Sequence, residues 1–478
     1  MNSENVSQTI YGGLLSLQHR GQDSAGIVTH NGEKVFVKKN TGLVTQAIKA
    51  SDLDMLSGDM GIGHVRYTTA GASDLQNAQP FVITYPFGVA MASNGNTINY
   101  PELKKYLKEK GHVELTSKCD LEAILGLFIH ELTEELGDTQ DIKAKHIFKV
   151  AEKVMALVKG SYSLVGLVGK HGLIAMRDPN GIKPLSFGKK NCKKGTSYIF
   201  ASETVALDTL GYDFIRDVEP GEVIFIERKT KALHSKKLVH AKHAHCMFEW
   251  IYFARPDSSI NEKGVCEARL NLGRELAKLW NKKNIDSVIP TPDTSRTAAL
   301  TFSEATGIKY REGLIKNRYV ARTFIMPKQS LRADAVKNKL NAIRSEVNEK
   351  RLALVDDSIV RGTTSKKIIS LLRKAGAEEV HMLSSCPPIT CPCIYGIDMP
   401  TKEELIAGHR TVEEVRKELN ADTLTYQTTE GIKKAIGCSD LCMACLNGKY
   451  PVEGSEAVIE KMGGVRKKER GETTDNKQ

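Results

Sequence analysis

The sequence lacks the features that would place the chain in a membrane or in a secretory pathway. No stretch of its 478 residues approaches the roughly 18 consecutive apolar residues of a transmembrane helix. The beginning of the chain has no basic segment, and residues 11–17 are too few and too rich in glycine to form the apolar core of a secretory signal. We therefore expect a cytoplasmic protein with no membrane partner.

Features of nucleic-acid binding are also scarce, despite a basic composition. The formal net charge is +11 and the isoelectric point is near 9.0. Outside the C-terminal tail, however, no run of lysine and arginine is interleaved with aromatic residues. A solvated basic surface, together with a site for a polyanionic small substrate, accounts for the charge better than a nucleic-acid groove does. We expect no nucleic-acid partner.

Composition otherwise indicates an ordinary folded protein with more than one domain. Hydrophobic residues make up 41% and charged residues 26% of the chain, and a length of 478 residues is typical of two or three domains. In a reducing compartment, the ten cysteines are expected to be free thiols or metal ligands rather than disulfides. We interpret Cys119, Cys192 and Cys266 as ordinary small apolar residues or exposed thiols.

Two patterns of secondary structure divide the chain. Up to about residue 230, short apolar or alternating segments separated by glycine and asparagine predict antiparallel strands with a few helices. From about residue 286, apolar strands alternate with helices, which is typical of a parallel sheet. We predict domains at 1–235 and 236–455 and a charged tail at 456–478. The predicted helices are 6–18, 101–108, 120–136, 144–158, 296–306 and 365–375, and the predicted strands include 34–38, 87–92, 163–168, 287–289, 352–355 and 380–384.

Residues 351–365 combine a strand, two carboxylates and a glycine turn. Residues 352–355 are continuously apolar, as in a strand buried on both faces of a parallel sheet, so Asp356 and Asp357 emerge at its carboxyl end. Gly362 permits a tight turn, and the hydroxyl-rich residues after it begin a helix whose N-terminus would bind a phosphate. Taken alone, an acidic pair after a strand is more often a solvated turn with a helix cap. The whole arrangement favours a phosphate and diol site.

A strand, a hydroxyl-rich turn and a helix also follow one another at residues 288–297. A capped helix start explains this pattern equally well, because Asp293 and Thr294 are both good N-caps. The pattern alone therefore leaves a helix cap and a second phosphate site as open alternatives.

Residues 355–364, Val-Asp-Asp-Ser-Ile-Val-Arg-Gly-Thr-Thr, resemble the phosphoribosyl-pyrophosphate (PRPP) loop of type I phosphoribosyltransferases, in the version found in glutamine PRPP amidotransferases. The resemblance implies that the acidic pair holds the ribose hydroxyls and that the turn holds the 5′-phosphate. Residues 288–297 resemble the family's pyrophosphate-side turn, and residues 313–327 its mobile lid, which includes Arg322. Magnesium binds substrate phosphates with only one or two carboxylates, so the acidic pair suits it. The implied magnesium contacts are Thr294, Ser295, Asp356 and Asp357, and the implied substrate contacts are Lys316, Arg318, Ser358, Arg361, Gly362, Thr363, Thr364 and Ser365.

Three segments that contain cysteine resemble the iron–sulfur branch of these amidotransferases, at residues 245–257, 387–398 and 441–451. Alone, the Cys-x-x-Cys of residues 442–445 is weak evidence for a metal, because redox and structural roles compete. The resemblance implies a [4Fe–4S] cluster. Four thiolates suit a structural Zn²⁺ equally well, and spacing does not separate the two. The implied ligands are Cys246, Cys393, Cys442 and Cys445, and the spare or alternative ligands are Cys386, Cys391 and Cys438.

Four segments of the first half resemble the glutaminase domain of the same family, in the same order. Individually, each is more often a turn or an ordinary salt bridge. The resemblance implies that Arg66 and Asp120 bind the carboxylate and α-amino groups of glutamine by matching opposite charges. It also implies an oxyanion hole made of Asn94 and Gly95. The four segments are residues 17–27, 63–71, 93–96 and 119–122.

The glutamine chemistry of that family begins with an N-terminal cysteine whose own α-amine acts as base. No cysteine precedes Cys119, and the family's first strand, which begins Cys-Gly, is not found before the helix that contains Tyr11. We disfavour Ser3 as a substitute nucleophile, because the strand that would carry it is not found either. On these grounds either the start of the chain is mis-assigned or the glutamine site is inactive and the enzyme uses ammonia.

Together the resemblances imply a glutamine PRPP amidotransferase, an enzyme family that makes 5-phosphoribosylamine, pyrophosphate and glutamate from PRPP, glutamine and water in the first step of de novo purine (IMP) biosynthesis. The implied fold is an α+β, Ntn-hydrolase-like glutaminase with antiparallel sheets, followed by an α/β type I phosphoribosyltransferase domain with a parallel sheet. The implied partners are glutamine or ammonia, PRPP, purine nucleotides as feedback inhibitors, and further copies of the chain in a homotetramer. The alternatives are an ammonia-dependent phosphoribosylamine synthase and a non-catalytic regulatory subunit.

Overall fold

The computed structural model describes residues 5–67, 75–111, 113–137, 139, 141–193, 195–317, 340–399 and 401–460. Over these residues the first half of the chain forms antiparallel sheets with helices, and the second half forms a parallel sheet flanked by helices. None of the described helices is long and apolar enough to cross a membrane. The predicted order of an α+β part followed by an α/β part is confirmed.

Three antiparallel sheets make up the first half. Its strands are β1 (Ser24–His30), β2 (Val35–Thr41), β3 (Met60–Arg66), β4 (Phe81–Ile83), β5 (Val89–Thr97), β6 (Gly160–Val168), β7 (Gly172–Arg177), β8 (Ser186–Cys192), β9 (Gly195–Ala201), β10 (Asp213–Asp217), β11 (Glu222–Glu227) and β12 (Leu233–Lys237). Their orders are β2-β1-β3, β10-β8-β9 and β12-β11-β7-β6-β5-β4.

Helices cover both outer faces of these sheets and produce four layers. On one side, α4 to α6 pack against the six-stranded sheet through a core that includes Phe128 and Val154. The other face of that sheet packs against the two smaller sheets through residues such as Ile62 and Phe187. α1 covers the far side of β1 and β3, where Leu14 is buried. The helices are α1 (Ser7–Ser16), α2 (Val44–Ala47), α3 (Ala50–Met55), α4 (Tyr100–Lys110), α5 (Asp120–Leu136), α6 (Ala144–Leu157) and α7 (Thr204–Leu210).

The second half is organised around four parallel strands in the order β16-β19-β20-β21. Its strands are β13 (His245–Cys246), β14 (Ser259–Ile260), β15 (Lys263–Gly264), β16 (Ser287–Pro290), β17 (Leu314–Lys316), β18 (Leu340–Ala342), β19 (Arg351–Asp356), β20 (Glu379–Ser384), β21 (Thr423–Tyr426) and β22 (Leu441–Cys442). Its helices are α8 (Val265–Ala277), α9 (Arg296–Thr306), α10 (Arg344–Val347), α11 (Thr363–Lys374), α12 (Val412–Leu419), α13 (Thr429–Ile436) and α14 (Ala444–Asn447).

The apolar run at residues 352–355 is an interior strand of this sheet, as predicted. All four side chains are fully buried, because β16 and β20 pair with β19 on its two edges and helices cover both of its faces. The helices predicted at 120–136 and 296–306 have the predicted bounds. The helix predicted at 365–375 begins two residues earlier, at Thr363, because Gly362 already turns the chain.

The two halves meet at a buried group of opposite charges. Arg20 lies at the end of the first turn after α1, and its Nη1 is 2.5 Å from Glu203 Oε1 and 3.0 Å from Glu249 Oε2. Lys183 Nζ lies 3.4 Å from Glu249 Oε1. All four side chains are buried. Glu249 of the second half is therefore neutralised by Arg20 and Lys183 of the first half. These ion pairs join the halves, because losing one partner would leave a buried charge uncompensated.

Candidate active sites and cysteine centre

The acidic pair lies at the carboxyl end of β19, where the chain turns into α11. Asp356 is the last residue of the strand, and the backbone N–H of Asp357 donates a hydrogen bond of 2.9 Å to Asp356 Oδ1. Ser358 Oγ donates to Asp357 Oδ1 at 2.8 Å. Burial and the neighbouring carboxylate raise the pKa of Asp356 well above its ordinary value, and burial raises the pKa of Asp357. The site therefore favours a ligand that brings a cation or hydroxyl donors.

The turn after the acidic pair needs glycine for two reasons. Gly362 has a φ of +73°, and a Cβ there would lie 2.2 Å from Ile406 Cδ1. The chain then enters α11, whose first residues Thr363, Thr364 and Ser365 line a cavity together with the acidic pair. Backbone N–H groups at this helix start are oriented to bind an anion.

The pyrophosphate-side turn faces the same cavity. Thr294 lies in the cavity wall, whereas Ser295 is buried in the turn with its hydroxyl donated to the carbonyl of Thr291. Lys316 is in the wall, where its Nζ lies 3.1 Å from Asp293 Oδ2. Arg361 is also in the wall and forms longer ion pairs of 3.5 and 3.4 Å with Asp398 and Glu404. Arg318 and Arg322 lie outside the described residues.

Arg269 is a cavity residue that sequence reasoning missed. It projects from α8, is 4% exposed, and donates to the carbonyls of Trp250 and Ala254 at 2.8 Å each. Its charge acts on Asp357 and opposes the pKa rise that burial causes there. The segment around Arg269 carries no glycine turn or acidic pair, so no local signal marked it.

The glutaminase residues line the same cavity from the other half. Arg66, Asn94, Gly95 and Asp120 all contribute to its wall. Asp120 Oδ2 accepts a hydrogen bond of 2.7 Å from the backbone N–H of Thr97, and burial raises the Asp120 pKa. Asn94 Nδ2 is buried and has no hydrogen-bond partner among the described residues. An unpartnered amide donor in the cavity wall is available to stabilise a developing oxyanion.

Two further residues of this wall were not assigned from the sequence. His64 Nε2 lies 3.1 Å from the carbonyl oxygen of Ser93, and burial lowers the pKa of His64 to about 4, so the ring is neutral near pH 7. Cys119 also lines the cavity, with Sγ 3.8 Å from Asp120 Oδ1, and burial raises its thiol pKa to about 12. Such a thiol is a poor nucleophile at neutral pH.

One cavity of about 1980 Å³ contains both sets of residues. The two halves close it by direct contact: Asn96 Nδ2 donates 2.9 Å to the carbonyl oxygen of Ile394, and Gly396 lies against the backbone of Gly95. Asn94 and Asp356 therefore line one continuous space.

A second cavity, of about 160 Å³, lies between α1, the six-stranded sheet, and the edge strands β3 and β9. Ile10 and Leu14 form its floor on the α1 side, and Phe200 belongs to its β9 edge. His64 and Asn94 are walls of both cavities. Among the described strands, β3 and β9 each have one edge with no paired neighbour, and these edges border the space.

Gly95 should tolerate no side chain, and this is a testable feature of the oxyanion region. Gly95 has a φ of +149°, and a Cβ there would lie 2.0 Å from the carbonyl oxygen of Ser161 on the paired strand β6. We expect Gly95→Ala to lower the free energy of unfolding by about 3 kcal/mol or more, measured by chemical denaturation. Gly195→Ala is the matched control: its φ is +113° but nothing lies within 4 Å of a Cβ. Equal losses in the two variants would contradict the close contact.

The four cysteines implied as ligands come together at the junction. Cys246 and Cys442 are opposite one another in the parallel pair β13 and β22, Cys445 lies in α14, and the Tyr395 N–H donates 3.4 Å to Cys393 Sγ. The pKa of Cys246 is raised to about 11, and that of Cys445 is raised well above its ordinary value. Burial is the main cause in both, and the neighbouring thiols contribute in the same direction. No three of the four Sγ atoms, all within the described residues, lie within 4.8 Å of one another.

The remaining cysteines have separate surroundings. Cys386 is fully buried beyond the end of β20, and Cys391 Sγ lies 3.6 Å from Thr390 Oγ1. Cys438 Sγ lies 3.6 Å from His245 Nε2. Cys192 is half-buried and Cys266 is exposed, as their interpretation as ordinary residues or exposed thiols predicted.

Comparison with known proteins agrees with both halves. Residues 64–209 match a family described as "Glutamine amidotransferase domain". The amidophosphoribosyltransferase of Methanothermobacter thermautotrophicus is 47% identical over 449 residues, covering 93% of this chain and 91% of the relative. That of Escherichia coli is 45% identical over 437 residues, covering 90% and 86%. A solved glutamine PRPP amidotransferase from B. subtilis, complexed with ADP and GMP, has a TM-score of 0.84 and 41% identity, covering 95% of this chain and 96% of that one. The chain belongs to the amidophosphoribosyltransferase family.

Proposed function

We propose that this protein converts PRPP, glutamine and water into 5-phosphoribosylamine, pyrophosphate and glutamate, the first step of de novo purine synthesis. The observation that carries the proposal is the acidic pair Asp356 and Asp357, placed at the end of a central parallel strand in a cavity that also contains Asn94 and Asp120. Asp356 and Asp357 suit a pentosyltransferase that binds ribose hydroxyls, and Asn94 and Asp120 suit a glutaminase. Their common cavity favours a bifunctional enzyme over a binding-only subunit.

In the proposed PRPP site, the acidic pair accepts hydrogen bonds from the ribose hydroxyls. The start of α11 holds the 5′-phosphate through Thr363, Thr364, Ser365 and the backbone of Gly362, with Ser358 and Arg361 beside them. The pyrophosphate lies toward Thr294 and Lys316. Arg318 is proposed as a further phosphate contact from the lid segment. Ammonia then attacks C1 of the ribose as the C1–oxygen bond to pyrophosphate breaks.

Magnesium is the proposed cation of this site. The residues fit it, because Asp356 and Asp357 are two buried carboxylates whose pKa values are raised by burial, and a bound cation would stabilise their ionised forms. Magnesium would neutralise the departing pyrophosphate. Thr294 lies in the wall where a hydroxyl can support the ion or its waters. Ser295 stays a proposed contact that requires its hydroxyl to leave the Thr291 carbonyl.

The first half is proposed to release ammonia from glutamine. Arg66 and Asp120 bind the two charged ends of glutamine's main chain, and Asn94 with the backbone of Gly95 stabilises the oxyanion. The family's nucleophile is the thiol of an N-terminal cysteine. The space between β3 and β9 opens on Asn94 and is bordered by two strand edges, which suits the strand that carries such a cysteine.

A [4Fe–4S] cluster is the proposed occupant of the cysteine centre, held by Cys246, Cys393, Cys442 and Cys445. Buried thiols with strongly raised pKa values suit a group that supplies positive charge to thiolates. A single tetrahedral Zn²⁺ would need its sulfur ligands about 3.8 Å apart. A single Zn²⁺ would therefore require these Sγ atoms to move closer together, and the family resemblance favours the iron–sulfur cluster. When bound, the cluster would stabilise the junction of the two halves.

Further copies of the chain and purine nucleotides are the proposed partners. The B. subtilis relative was solved with ADP and GMP bound, which supports purine nucleotides as inhibitors of this chain as well. A homotetramer is proposed from the family alone. We also propose that residues 1–235 form the glutaminase domain, that residues 236–455 form the phosphoribosyltransferase domain, and that residues 456–478 form a charged tail.

The proposed activity is tested by pyrophosphate release from PRPP and Mg²⁺ with each nitrogen donor. We expect release with ammonium chloride, because the proposed PRPP site lies in the second half, and release with glutamine when the first half is active. No release with either donor would contradict the proposal. Release with ammonium alone would support the ammonia-dependent alternative instead. Asn94→Ala should lower the glutamine-supported rate by about 100-fold while the ammonium-supported rate is unchanged.

A further inference from the structure

A second group of metal-binding side chains lies beside the cysteine centre but uses none of its four ligands. His243, His245 and Asp440 each offer one ligand atom, and these atoms lie within 4.8 Å of one another. The two histidines belong to the segment that leads into β13, and Asp440 belongs to the segment that leads into β22. The backbone N–H of His245 donates 3.0 Å to the carbonyl of Asp440, so the backbone already holds the two segments in register.

The distances within the group are close to those of a metal site. His243 Nδ1 lies 2.8 Å from Asp440 Oδ2, and His245 Nε2 lies 3.4 Å from Asp440 Oδ1. Cys438 Sγ lies 3.6 Å from the same His245 Nε2. Tetrahedral Zn²⁺ with ordinary bond lengths separates nitrogen from oxygen ligands by about 3.3 Å and nitrogen from sulfur ligands by about 3.6 Å. The separations of His245 from Asp440 and from Cys438 match these values. The 2.8 Å between His243 Nδ1 and Asp440 Oδ2 is shorter, and a small side-chain movement would lengthen it to the zinc value.

The surroundings hold the histidine rings in place and direct one nitrogen of each toward the aspartate. The rings of His243 and His245 are stacked, with centroids 4.5 Å apart and planes at 16°. Asn261 Nδ2 lies 2.7 Å from His245 Nδ1, the nitrogen that faces away from Asp440. A metal-bound histidine usually donates its second N–H to an acceptor, so zinc at His245 Nε2 would require the Asn261 amide to rotate and present its Oδ1 to Nδ1. His245 is 3% exposed, whereas the side chains of His243 and Asp440 are 26% and 41% exposed, so the group is buried on the His245 side and open to solvent on the other.

We propose that His243, His245 and Asp440 bind a zinc ion, and that Cys438, whose Sγ is near His245 but not within 4.8 Å of all three ligand atoms, turns in as the fourth ligand. Two imidazoles, one carboxylate and one thiolate form a mixed nitrogen, oxygen and sulfur set of the kind that zinc accepts in tetrahedral geometry. Magnesium and calcium are disfavoured, because they prefer sites made of oxygen ligands. The site is a second centre, separate from the one formed by Cys246, Cys393, Cys442 and Cys445.

The proposed ion would fasten the same two segments that carry Cys246 and Cys442. His245 precedes Cys246 directly, and Asp440 lies two residues before Cys442. β13 and β22 contain only two residues each, so their hydrogen bonds alone hold this pair weakly. Zinc bound to both segments would therefore add a link at the place where the cysteine centre needs both strands fixed.

The test measures zinc and iron together in the full-length protein. The protein is produced with zinc and iron supplied, dialysed against EDTA, and analysed by inductively coupled plasma mass spectrometry. We expect about one tightly held zinc per chain in the unmodified protein and a loss of most of it in His243→Gln and in Asp440→Asn, with iron per chain unchanged. His240→Gln, which removes an exposed histidine of the same segment, should keep its zinc.

Two outcomes would overturn the proposal. One is an unmodified protein without zinc after dialysis. The other is zinc that stays in both variants, which would place the ion elsewhere, including at the four cysteines. Ammonium-supported pyrophosphate release and the iron content report whether each variant is folded. Should both variants fail to fold, Cys438→Ser, which is half-buried at the edge of the group, gives the same readout: it should lower zinc retention and leave iron unchanged.

Discussion

Replacing Asp356 and Asp357 together with asparagine should reduce pyrophosphate release by at least about 100-fold with either nitrogen donor. Asparagine has nearly the same shape as aspartate, so the ribose would still fit. The site would lose the two negative charges that attract magnesium and that strengthen the hydrogen bonds accepted from the ribose hydroxyls. The loss should appear with ammonium as well as with glutamine, because both donors use the same PRPP site. The measurement is the initial rate of pyrophosphate release at saturating PRPP and Mg²⁺.

The same double variant should be more stable than the unmodified protein when magnesium and PRPP are absent. Two adjacent buried carboxylates repel one another, and burial raises the pKa of both. A carboxyl whose pKa is raised in the folded state contributes stability at low pH that is lost as the pH rises through the folded value. The unmodified protein should therefore lose stability relative to the variant as the pH rises from the ordinary aspartate value of 3.8 through about 6 for Asp357, and further for Asp356, because the variant has no such carboxyls.

Asp286→Asn is the matched control for this prediction. Asp286 lies just before β16, next to the opposite end of β19, where its carboxylate is 3.2 Å from Arg351 Nε. Because it is far along the strand from the acidic pair, its loss should change the rate by less than about threefold. A double variant that retained a similar rate would remove the basis for assigning Asp356 and Asp357 to the substrate.

Replacing Arg20 with methionine should lower the free energy of unfolding by about 3–5 kcal/mol. Arg20 is 7% exposed, and its guanidinium lies between Glu203 and Glu249. Burial alone would raise the pKa of Glu203, but the charge of Arg20 together with His19 and the backbone N–H of Arg255 outweighs burial and lowers that pKa to about 2. Without Arg20, the two buried carboxylates lose their main counter-charge, although Lys183 still lies beside Glu249 and His19 beside Glu203. Denaturant titration followed by circular dichroism measures the loss.

Arg255→Met provides the comparison for an exposed pair. Arg255 lies on the same junction segment, and its ion pair with Asp257 is exposed to solvent at both ends. Its loss should cost less than about 1 kcal/mol, because solvent screens such pairs. Arg20→Met combined with Glu249→Gln should recover part of the loss, since one uncompensated charge is then removed as well. Equal stability of Arg20→Met and Arg255→Met would contradict a structural role for the buried charges.

Local sequence was sufficient for the elements whose signals lie within one segment. The continuous apolar run before Asp356 predicted a strand buried on both faces, and Gly362 predicted the turn into a helix. The α/β alternation after residue 286 likewise predicted the parallel sheet. These predictions succeeded because periodicity and turn residues report on backbone geometry over only a few residues.

Contacts between distant segments were out of reach for the same reason. Arg269 carries no motif, and its position beside the acidic pair follows from the packing of α8. Cys438 was assigned as a spare ligand of the cysteine centre, yet its sulfur lies next to His245. Ser295 was paired with Thr294 as a magnesium contact, but the fold of the turn directs its hydroxyl to Thr291. Spacing along the chain contains no information on these orientations.

What the order of residues decided, then, was the class of each half and the chemistry of each short segment, since hydrophobic period, glycine turns and charged pairs act locally. What only the folded chain decided was which segments share a space. Asn94 and Asp356 line one cavity, and His243 lies against Asp440, because layers packed from distant parts of the chain bring them together. Packing depends on the simultaneous fit of many side chains from all these layers, and no single segment encodes that fit.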